Sequence, residues 1–318
     1  MLLETSQATL VATIQILLMA GVGFALVKTS LLDEPGLDML SNLLVKVFLP
    51  QMIFYHLTQH FHFSDYTYWW GYPLLSVGIV LSGVAVSRAL LVFNKGCRNR
   101  NHFTALMAFA NYGYVPLMLV ASLFDGQRAE SLTVTIFLMI MGFDFAVWSM
   151  GVWLLTSHKD KTIYWGRLLN PPFVTTVASL LLIMLGWHRW VPPAVIKPVK
   201  MFSDCALPLS MIVTGGNLAK TNLQAVDKTD MRYLIFGKLI LLPALALVAV
   251  KALALPYVAG FMLVVQAAVP SAVSLSMMIR YYKVDSELIN QGIFWDSLIS
   301  VLTIPVVLTV YNFITNSY

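Results

Sequence analysis

Apolar runs recur along the entire chain, and each is about 18–25 residues long, which is enough for a helix to cross a hydrocarbon core of about 30 Å. Hydrophobic residues make up 58% of the chain and charged residues 11%, whereas a soluble domain carries about a quarter charged residues. The sequence therefore predicts an all-α integral membrane protein with ten transmembrane helices. The predicted spans are residues 9–27, 37–57, 69–93, 103–124, 131–156, 172–187, 195–219, 231–253, 257–280 and 292–315.

Lysine and arginine are distributed unevenly between the predicted loops, and basic residues are retained on the cytoplasmic side of a membrane. With the N-terminus placed outside, the inner loops hold Lys28, Lys95, Arg98, Arg100, Lys159, Lys161, Arg167, Lys220, Lys228, Arg232, Arg280 and Lys283. The outer loops hold only Arg128, Arg189, Lys197 and Lys251. We therefore expect both termini to lie outside. As a separate expectation, we place the protein in the inner (plasma) membrane of a bacterium. The formal charge of +5 follows from these loops and does not indicate nucleic acid binding.

The second half of the chain repeats features of the first half in the same order. Leu49-Pro50 in span two matches Leu207-Pro208 in span seven, Val115-Pro116 matches Val269-Pro270, and Asp144 in span five matches Asp296 in span ten. Five spans per half is an odd number, so the halves would cross the membrane in opposite directions. The sequence thus predicts two inverted repeats, residues 1–157 and 171–318, joined by a cytoplasmic linker at 158–170.

Spans four and nine each carry a proline beside a polar amide at the expected depth of the bilayer centre. Proline frees a carbonyl about one turn earlier in a helix, and freed backbone groups at membrane depth need protein or a wet cavity to satisfy them. Transporters with inverted repeats bind substrate at such broken helices; a plain proline kink in a packed helix is the alternative. The candidate substrate-binding residues are Asn111, Tyr112, Gly113, Tyr114, Pro116, Gln266, Pro270 and Ser271.

These segments resemble those of the auxin efflux carrier family, which comprises the PIN-type plant carriers and their bacterial relatives. The segment at 111–115 is similar to the family's Asn-x-Gly-Tyr-Leu, and the segment at 266–270 is similar to its Gln-Ala-Ala-Leu-Pro. Leu49-Pro50 and the Arg167 to Pro172 segment also match family positions. In an ungapped match, however, the family's later proline falls on Met118, and Pro116 stands where glycine is usual.

The resemblance implies a fold and a function. The fold would be the inverted-repeat fold of the bile acid symporters, with a scaffold from spans 1, 2, 6 and 7. Spans 3–5 and 8–10 would form a moving transport domain in which spans four and nine cross, and two subunits would pair through their scaffolds as a homodimer. The family's usual substrates are organic anions, namely auxins in plants and malonate or similar carboxylates in some bacterial members.

We place six ionisable residues at membrane depth, away from the ends of the predicted spans, where each charge costs about 2.5–3.5 kcal/mol on insertion scales. They are Lys46, Asp144, Lys200, Asp204, Lys238 and Asp296. Asp204 has two candidate partners: Lys200 one helical turn away, or Lys46 at the repeat-equivalent position, which would clasp the scaffold. We expect Lys238 to pair with Asp144 or Asp296. The remaining acid is then a candidate for coupling transport to protons or sodium, with a purely structural role as the alternative.

Other classes of function fit the sequence less well. A ligand-sensing membrane receptor on the same fold is the main alternative to a secondary transporter of a small organic anion. The chain has no Gly-x-Ser-x-Gly or His-Glu-x-x-His motif, so we predict no enzyme activity and no cofactor. His56, His60 and His62 lie among aromatic residues at the outer end of span two. An interfacial belt therefore explains them better than a metal site does.

Overall fold

The computed structural model describes residues 2–156, 170–220, 228–282, 284 and 286–315. Within those residues every regular element is a helix, apart from one isolated antiparallel bridge. Of the predicted linker at 158–170, only Asn170 belongs to the described part of the chain. Lys159, Lys161, Arg167 and Lys283 of the orientation argument lie outside the described residues.

Eight helices make up the described part of the first half. They are α1 (Leu2–Lys28), α2 (Glu34–Leu43), α3 (Leu49–His60), α4 (Gly71–Phe93), α5 (Arg100–Ala108), α6 (Tyr114–Leu123), α7 (Gly126–Ala146) and α8 (Val152–Thr156). Wider, π-helical turns at Leu44–Phe48 and Val147–Gly151 join α2 to α3 and α7 to α8. Residues 109–113, within predicted span four, separate α5 from α6.

Seven helices make up the described part of the second half. They are α9 (Pro171–Met184), α10 (Pro193–Ala219), α11 (Lys228–Phe236), α12 (Leu242–Ala252), α13 (Tyr257–Ala268), α14 (Ser274–Tyr281) and α15 (Glu287–Thr315). A short 3₁₀ turn at Trp187–Trp190 lies between α9 and α10, and a π-helical turn at Gly237–Leu241 joins α11 to α12. Residues 269–273, within predicted span nine, separate α13 from α14.

Two of the π-helical turns have a local cause in the sequence. Pro50 and Pro243 are the second residues of α3 and α12, directly after the turns. A proline has no N–H to donate to the preceding turn, so the helix loses a hydrogen bond there and the turn widens. Lys46 and Lys238 lie within these two turns. The sequence analysis did not predict the turns.

By length and composition, five helical segments among the described residues are apolar enough to cross a bilayer. They are Glu34–His60, Gly71–Phe93, Gly126–Thr156, Lys228–Ala252 and Glu287–Thr315. Four further apolar helices are shorter, among them Tyr114–Leu123 and Tyr257–Ala268, which lie within predicted spans four and nine. The chain is therefore an integral membrane protein, as its composition predicts.

Small residues allow two pairs of helices to approach closely. A side chain at Gly215 of α10 would overlap the backbone carbonyl of Ala20 in α1, and one at Gly142 of α7 would overlap the carbonyl of Pro73 in α4. Small residues at helix contacts are typical of packing in membranes. Helix α3 contacts α9 and α10 on one side and α7 on the other. The boundary between α3 and α7 is where the candidate site lies.

Candidate functional site

The two interrupted segments, 109–113 and 269–273, meet each other inside the protein. Ala110 and Ser271 form an antiparallel bridge. The Asn111 backbone N–H donates to the Pro270 carbonyl at 2.8 Å, and the Ala272 N–H donates to the Phe109 carbonyl at 2.9 Å. Each segment thus satisfies backbone groups that the other leaves unpaired, as a non-helical backbone at membrane depth requires. We call this pair of segments the crossing.

The two amides predicted to bind substrate have different surroundings. Gln266 is fully buried, and its Nε2 donates to the Tyr112 carbonyl at 3.1 Å, which ties α13 to the opposite segment. The Asn111 Oδ1 accepts from the Tyr114 N–H at 3.2 Å and so caps the start of α6. The Asn111 Nδ2 has no hydrogen-bond partner among the described residues, and Asn111 lines a cavity. Of the two amides, only Asn111 lines the cavity.

A cavity of about 600 Å³ lies beside the crossing. Its wall is mostly apolar and aromatic, and Asp144 is the only charged residue among the described residues that line it. The lining includes Val45, Leu49, Ile53, Asn111, Tyr112, Gly113, Tyr114, Phe137, Ile140, Phe143, Asp144, Trp148, Asn170, Pro172, Ser274, Met278 and Tyr282. Because Tyr114 and Ser274 begin α6 and α14, the N-terminal ends of both half-helices border this cavity.

Asp144 connects the cavity to the start of α9. Its Oδ2 accepts a hydrogen bond from the Asn170 Nδ2 at 3.0 Å. The Asn170 Oδ1 in turn accepts from the Phe173 N–H at 2.8 Å, so Asn170 is the N-cap of α9. Sequence reasoning noted the motif around Asn170 but missed this role, although an asparagine directly before two prolines is a helix-start signal.

Asp296 lies on the other side of the crossing and is fully buried. Its Oδ2 accepts from the Ser271 backbone N–H at 3.2 Å and contacts the Ser271 hydroxyl. That hydroxyl is also 2.9 Å from the Leu106 carbonyl at the end of α5. Neither Asp296 nor Ser271 lines the cavity. The two aspartates at equivalent positions of the repeat therefore have different locations: Asp144 lines the cavity, and Asp296 does not.

Among the described residues, no contact of 4 Å or less joins the Lys238 ammonium to Asp144 or Asp296, although Lys238 and Asp296 are buried neighbours that interact electrostatically. The buried Lys238 ammonium donates instead to the Met107 carbonyl at 3.0 Å. This carbonyl belongs to the last turn of α5, where unpaired carbonyls carry partial negative charge that stabilises a cation. Lys238 and Ser271, the residue that Asp296 contacts, thus donate to neighbouring carbonyls of the same helix end, those of Met107 and Leu106.

Of the two partners considered for Asp204, the structure shows Lys200, the residue one helical turn away. Lys200 and Asp204 form an ion pair at 2.8 Å, one helical turn apart on an exposed face of α10. Lys46 is exposed and is not the ion-pair partner of Asp204, so the clasp across the scaffold is not formed.

The predicted substrate residues Pro116, Gln266, Pro270 and Ser271 do not line the cavity, whereas Asn111, Tyr112, Gly113 and Tyr114 do. Pro116 lies in the first turn of α6, after the interruption.

Comparison with known proteins agrees with this architecture. The family described as membrane transport protein matches the chain in two stretches, residues 8–164 and 159–308. The uncharacterized transporter MJ1031 of Methanocaldococcus jannaschii is 22% identical over 296 residues, which cover 91% of this chain and 94% of that protein. The family match spans nearly the whole sequence and confirms the resemblance that the motifs indicated. The chain therefore belongs to the membrane transport protein family, the family of the auxin efflux carriers.

Proposed function

We propose that the protein is a secondary transporter that moves a small organic anion across the membrane by alternating access. The observation that carries the proposal is the cavity beside the crossing, bordered by the N-terminal ends of α6 and α14. Ten spans in two inverted repeats are part of the proposal, with the crossing at their interface. Membership of a membrane transport family supports it.

The polar groups of the cavity favour an anion. The N-terminal end of a helix carries partial positive charge and unpaired N–H groups, and it stabilises a carboxylate. The Asn111 Nδ2 adds a donor without a partner among the described residues. The apolar and aromatic wall accommodates the carbon skeleton of the substrate. The small number of donors suits one carboxylate better than a densely polar molecule.

Asp144 is the coupling residue of the proposal, because it lines the cavity and Asp296 does not. A substrate carboxylate about 5 Å from an ionised Asp144 would be repelled by on the order of 3 kcal/mol at an effective dielectric of about 20. A proton on Asp144 removes this repulsion and lets the anion and the proton cross together. The proposal includes one alternative to the proton: a sodium ion bound at the Asp144 carboxylate.

The proposed moving parts follow the family arrangement. Leu49, Ile53 and Pro172 belong to the scaffold spans, and the crossing belongs to the transport domain; both groups line the cavity. A shift of one domain against the other would therefore change access to it. The orientation with both termini outside, which stays a prediction, would open this cavity toward the cytoplasm.

A homodimer is also part of the proposal. Lys200 and Asp204 are exposed on α10, and Asp204 lies about 16 Å along the helix from its start at 1.5 Å per residue. Exposed charges at that depth are costly in lipid. A second subunit packed on this face of the scaffold would cover them.

Counterflow in proteoliposomes tests the function. Vesicles loaded with one carboxylate from a panel of monocarboxylates and dicarboxylates should accumulate the same labelled compound, because a transporter exchanges substrate across the bilayer. A ligand-sensing receptor would bind without exchange. Asn111→Ala should weaken binding of the exchanged compound, whereas Asn42→Ala, at an exposed asparagine of α2, should not. Binding without counterflow in the parent protein would overturn the transporter.

A further inference from the structure

A second cavity of about 720 Å³ lies between α3 and α7, and its lining is polar. Its wall includes Gln59 and His60 at the end of α3, and Gln127, Glu130 and Ser131 at the start of α7. The connection from α3 to α4 adds Asp65 and Tyr66. Neither the resemblance nor the repeat assigns a role to this cavity.

Both cavities lie along the boundary between the same two helices. The first uses Leu49 and Ile53 of α3 with Phe137 and Asp144 of α7, and the second uses residues farther along α3 and earlier in α7. Fourteen residues separate Glu130 from Asp144, which is about 21 Å along a helix. The cavities are therefore at opposite ends of one boundary.

A thin packed layer separates the cavities. The ring of His56 in α3 lies 6.0 Å from the ring of Phe137 in α7, measured between centroids. Phe137 and Leu57 are fully buried at this level.

Two polar contacts hold the helices together at the second cavity. The His60 Nδ1 lies 3.0 Å from the Glu130 Oε2. The Tyr66 hydroxyl lies 3.1 Å from the Ser131 Oγ; burial raises the pKa of the Tyr66 phenol, so it remains a protonated donor at neutral pH. The His60 and Glu130 side chains are 22% and 40% exposed. Partly exposed pairs contribute little to stability, so separating this pair costs little free energy.

We propose that the polar cavity is the second access compartment of the transport path, and that the His60–Glu130 and Tyr66–Ser131 contacts with the His56–Phe137 layer form its closed gate. The inference rests on the alternating-access mechanism proposed above. In the opposite conformation, α3 and α7 separate at this end, and the polar compartment joins the substrate cavity.

Sided cysteine labelling tests the gate without any substrate. Cys97 and Cys205 are free thiols, so the background carries Cys97→Ala and Cys205→Ser, and Ile140→Cys places a reporter in the first cavity. A membrane-impermeant maleimide is applied from either face of the membrane to intact cells and inverted vesicles. In a separate variant, Thr67→Cys, at an exposed residue beside the second cavity, marks which face is the gate side. In the parent we expect the reporter to react from the opposite face only.

Glu130→Gln removes the carboxylate that the His60 ring contacts at 3.0 Å and should raise labelling of the reporter from the gate side at least threefold. Asp125→Asn is the matched control, because Asp125 is an exposed acid near the start of the same helix without a contact to His60. Exchange of the two residues, His60→Glu with Glu130→His, should restore the parental pattern. Equal labelling in Glu130→Gln and Asp125→Asn would overturn the gate.

A cross-link provides a readout that does not depend on the fold of the charge variants. In His60→Cys with Glu130→Cys, a short, cleavable cross-linker that reacts with both thiols should block reporter labelling from the gate side. It should leave labelling from the opposite face unchanged. It should also stop counterflow of any exchanged carboxylate until the reagent is cleaved. Gate-side labelling that persists after complete cross-linking would contradict the proposal. If the parent neither binds nor exchanges any carboxylate of the panel but labels as expected, the proposed substrate class is wrong and the gate stands.

Discussion

Asp144 and Asp296 hold matching places in the two halves of the chain, yet their surroundings differ. Asp144 lines the cavity and accepts one hydrogen bond, from Asn170. Asp296 is sealed behind the crossing, where it contacts Ser271 and lies at the same helix end as Lys238. The two halves therefore carry an acid at equivalent positions, but the contacts of that acid differ between them. We interpret one side of the crossing as structural and the other as functional.

The largest expected effect is on the sealed side. Asp296→Ala removes the acceptor of the Ser271 N–H and a negative charge near Lys238, and hydrogen bonds to charged groups contribute about 1.5–3 kcal/mol each. We expect the free energy of unfolding in detergent to fall by about 3 kcal/mol or more. Asp144→Ala is the matched control and should cost clearly less, because its carboxylate has one such bond. Equal losses in the two variants would remove the distinction between the two sides.

The second prediction concerns the cavity side and pH. If Asp144 must carry a proton when an anion binds, affinity should fall as the pH rises, because ionised Asp144 repels the substrate by on the order of 3 kcal/mol. Asp144→Asn cannot ionise, so its affinity should be independent of pH. Titration of binding for the exchanged carboxylate across pH measures both proteins. A parental pH profile retained in Asp144→Asn would show that another group titrates.

A third effect, of intermediate size, distinguishes the roles of the two amide side chains, Asn111 and Gln266. Gln266→Ala leaves the buried Tyr112 carbonyl without its donor, which should lower stability by about 1–3 kcal/mol. Asn111→Ala removes a helix cap and should cost about 1 kcal/mol, while it weakens substrate binding. Thermal unfolding and binding, measured on both variants, check the contrast. A Gln266→Ala variant of normal stability with impaired binding would assign Gln266 to the substrate instead.

The smallest expected effect is on the exposed charges of the scaffold. Lys200→Ala breaks the Lys200–Asp204 pair, and exposed pairs contribute about 0–1 kcal/mol. We therefore expect little change in the unfolding of the monomer in detergent. Size-exclusion chromatography with light scattering should show a weaker dimer, if the second subunit covers this face. A large loss of monomer stability would mean that the pair belongs with the buried charges.

The sequence by itself determined the membrane environment and the family, and it predicted breaks near the two segments that are non-helical in the structure, 109–113 and 269–273. Long apolar runs with few charges are stable as helices in a bilayer. Prolines beside amides at 111–116 and 266–270 mark the ends of the neighbouring helices within about three residues. These properties are local, because each depends on composition or on the backbone chemistry of one residue.

Only the tertiary structure decided which candidate residues reach the cavity. Asn111 and Gln266 carry the same kind of side chain at equivalent motifs, but the packing of the crossing turns Gln266 toward the Tyr112 carbonyl. Lys238 donates its hydrogen bond to a carbonyl at the end of α5, while the Asp296 carboxylate lies nearby without a direct contact. The physical reason is that the ends of interrupted helices carry partial charges of their own. A count of charged side chains omits those partial charges, and only the folded chain brings them to a particular lysine or substrate.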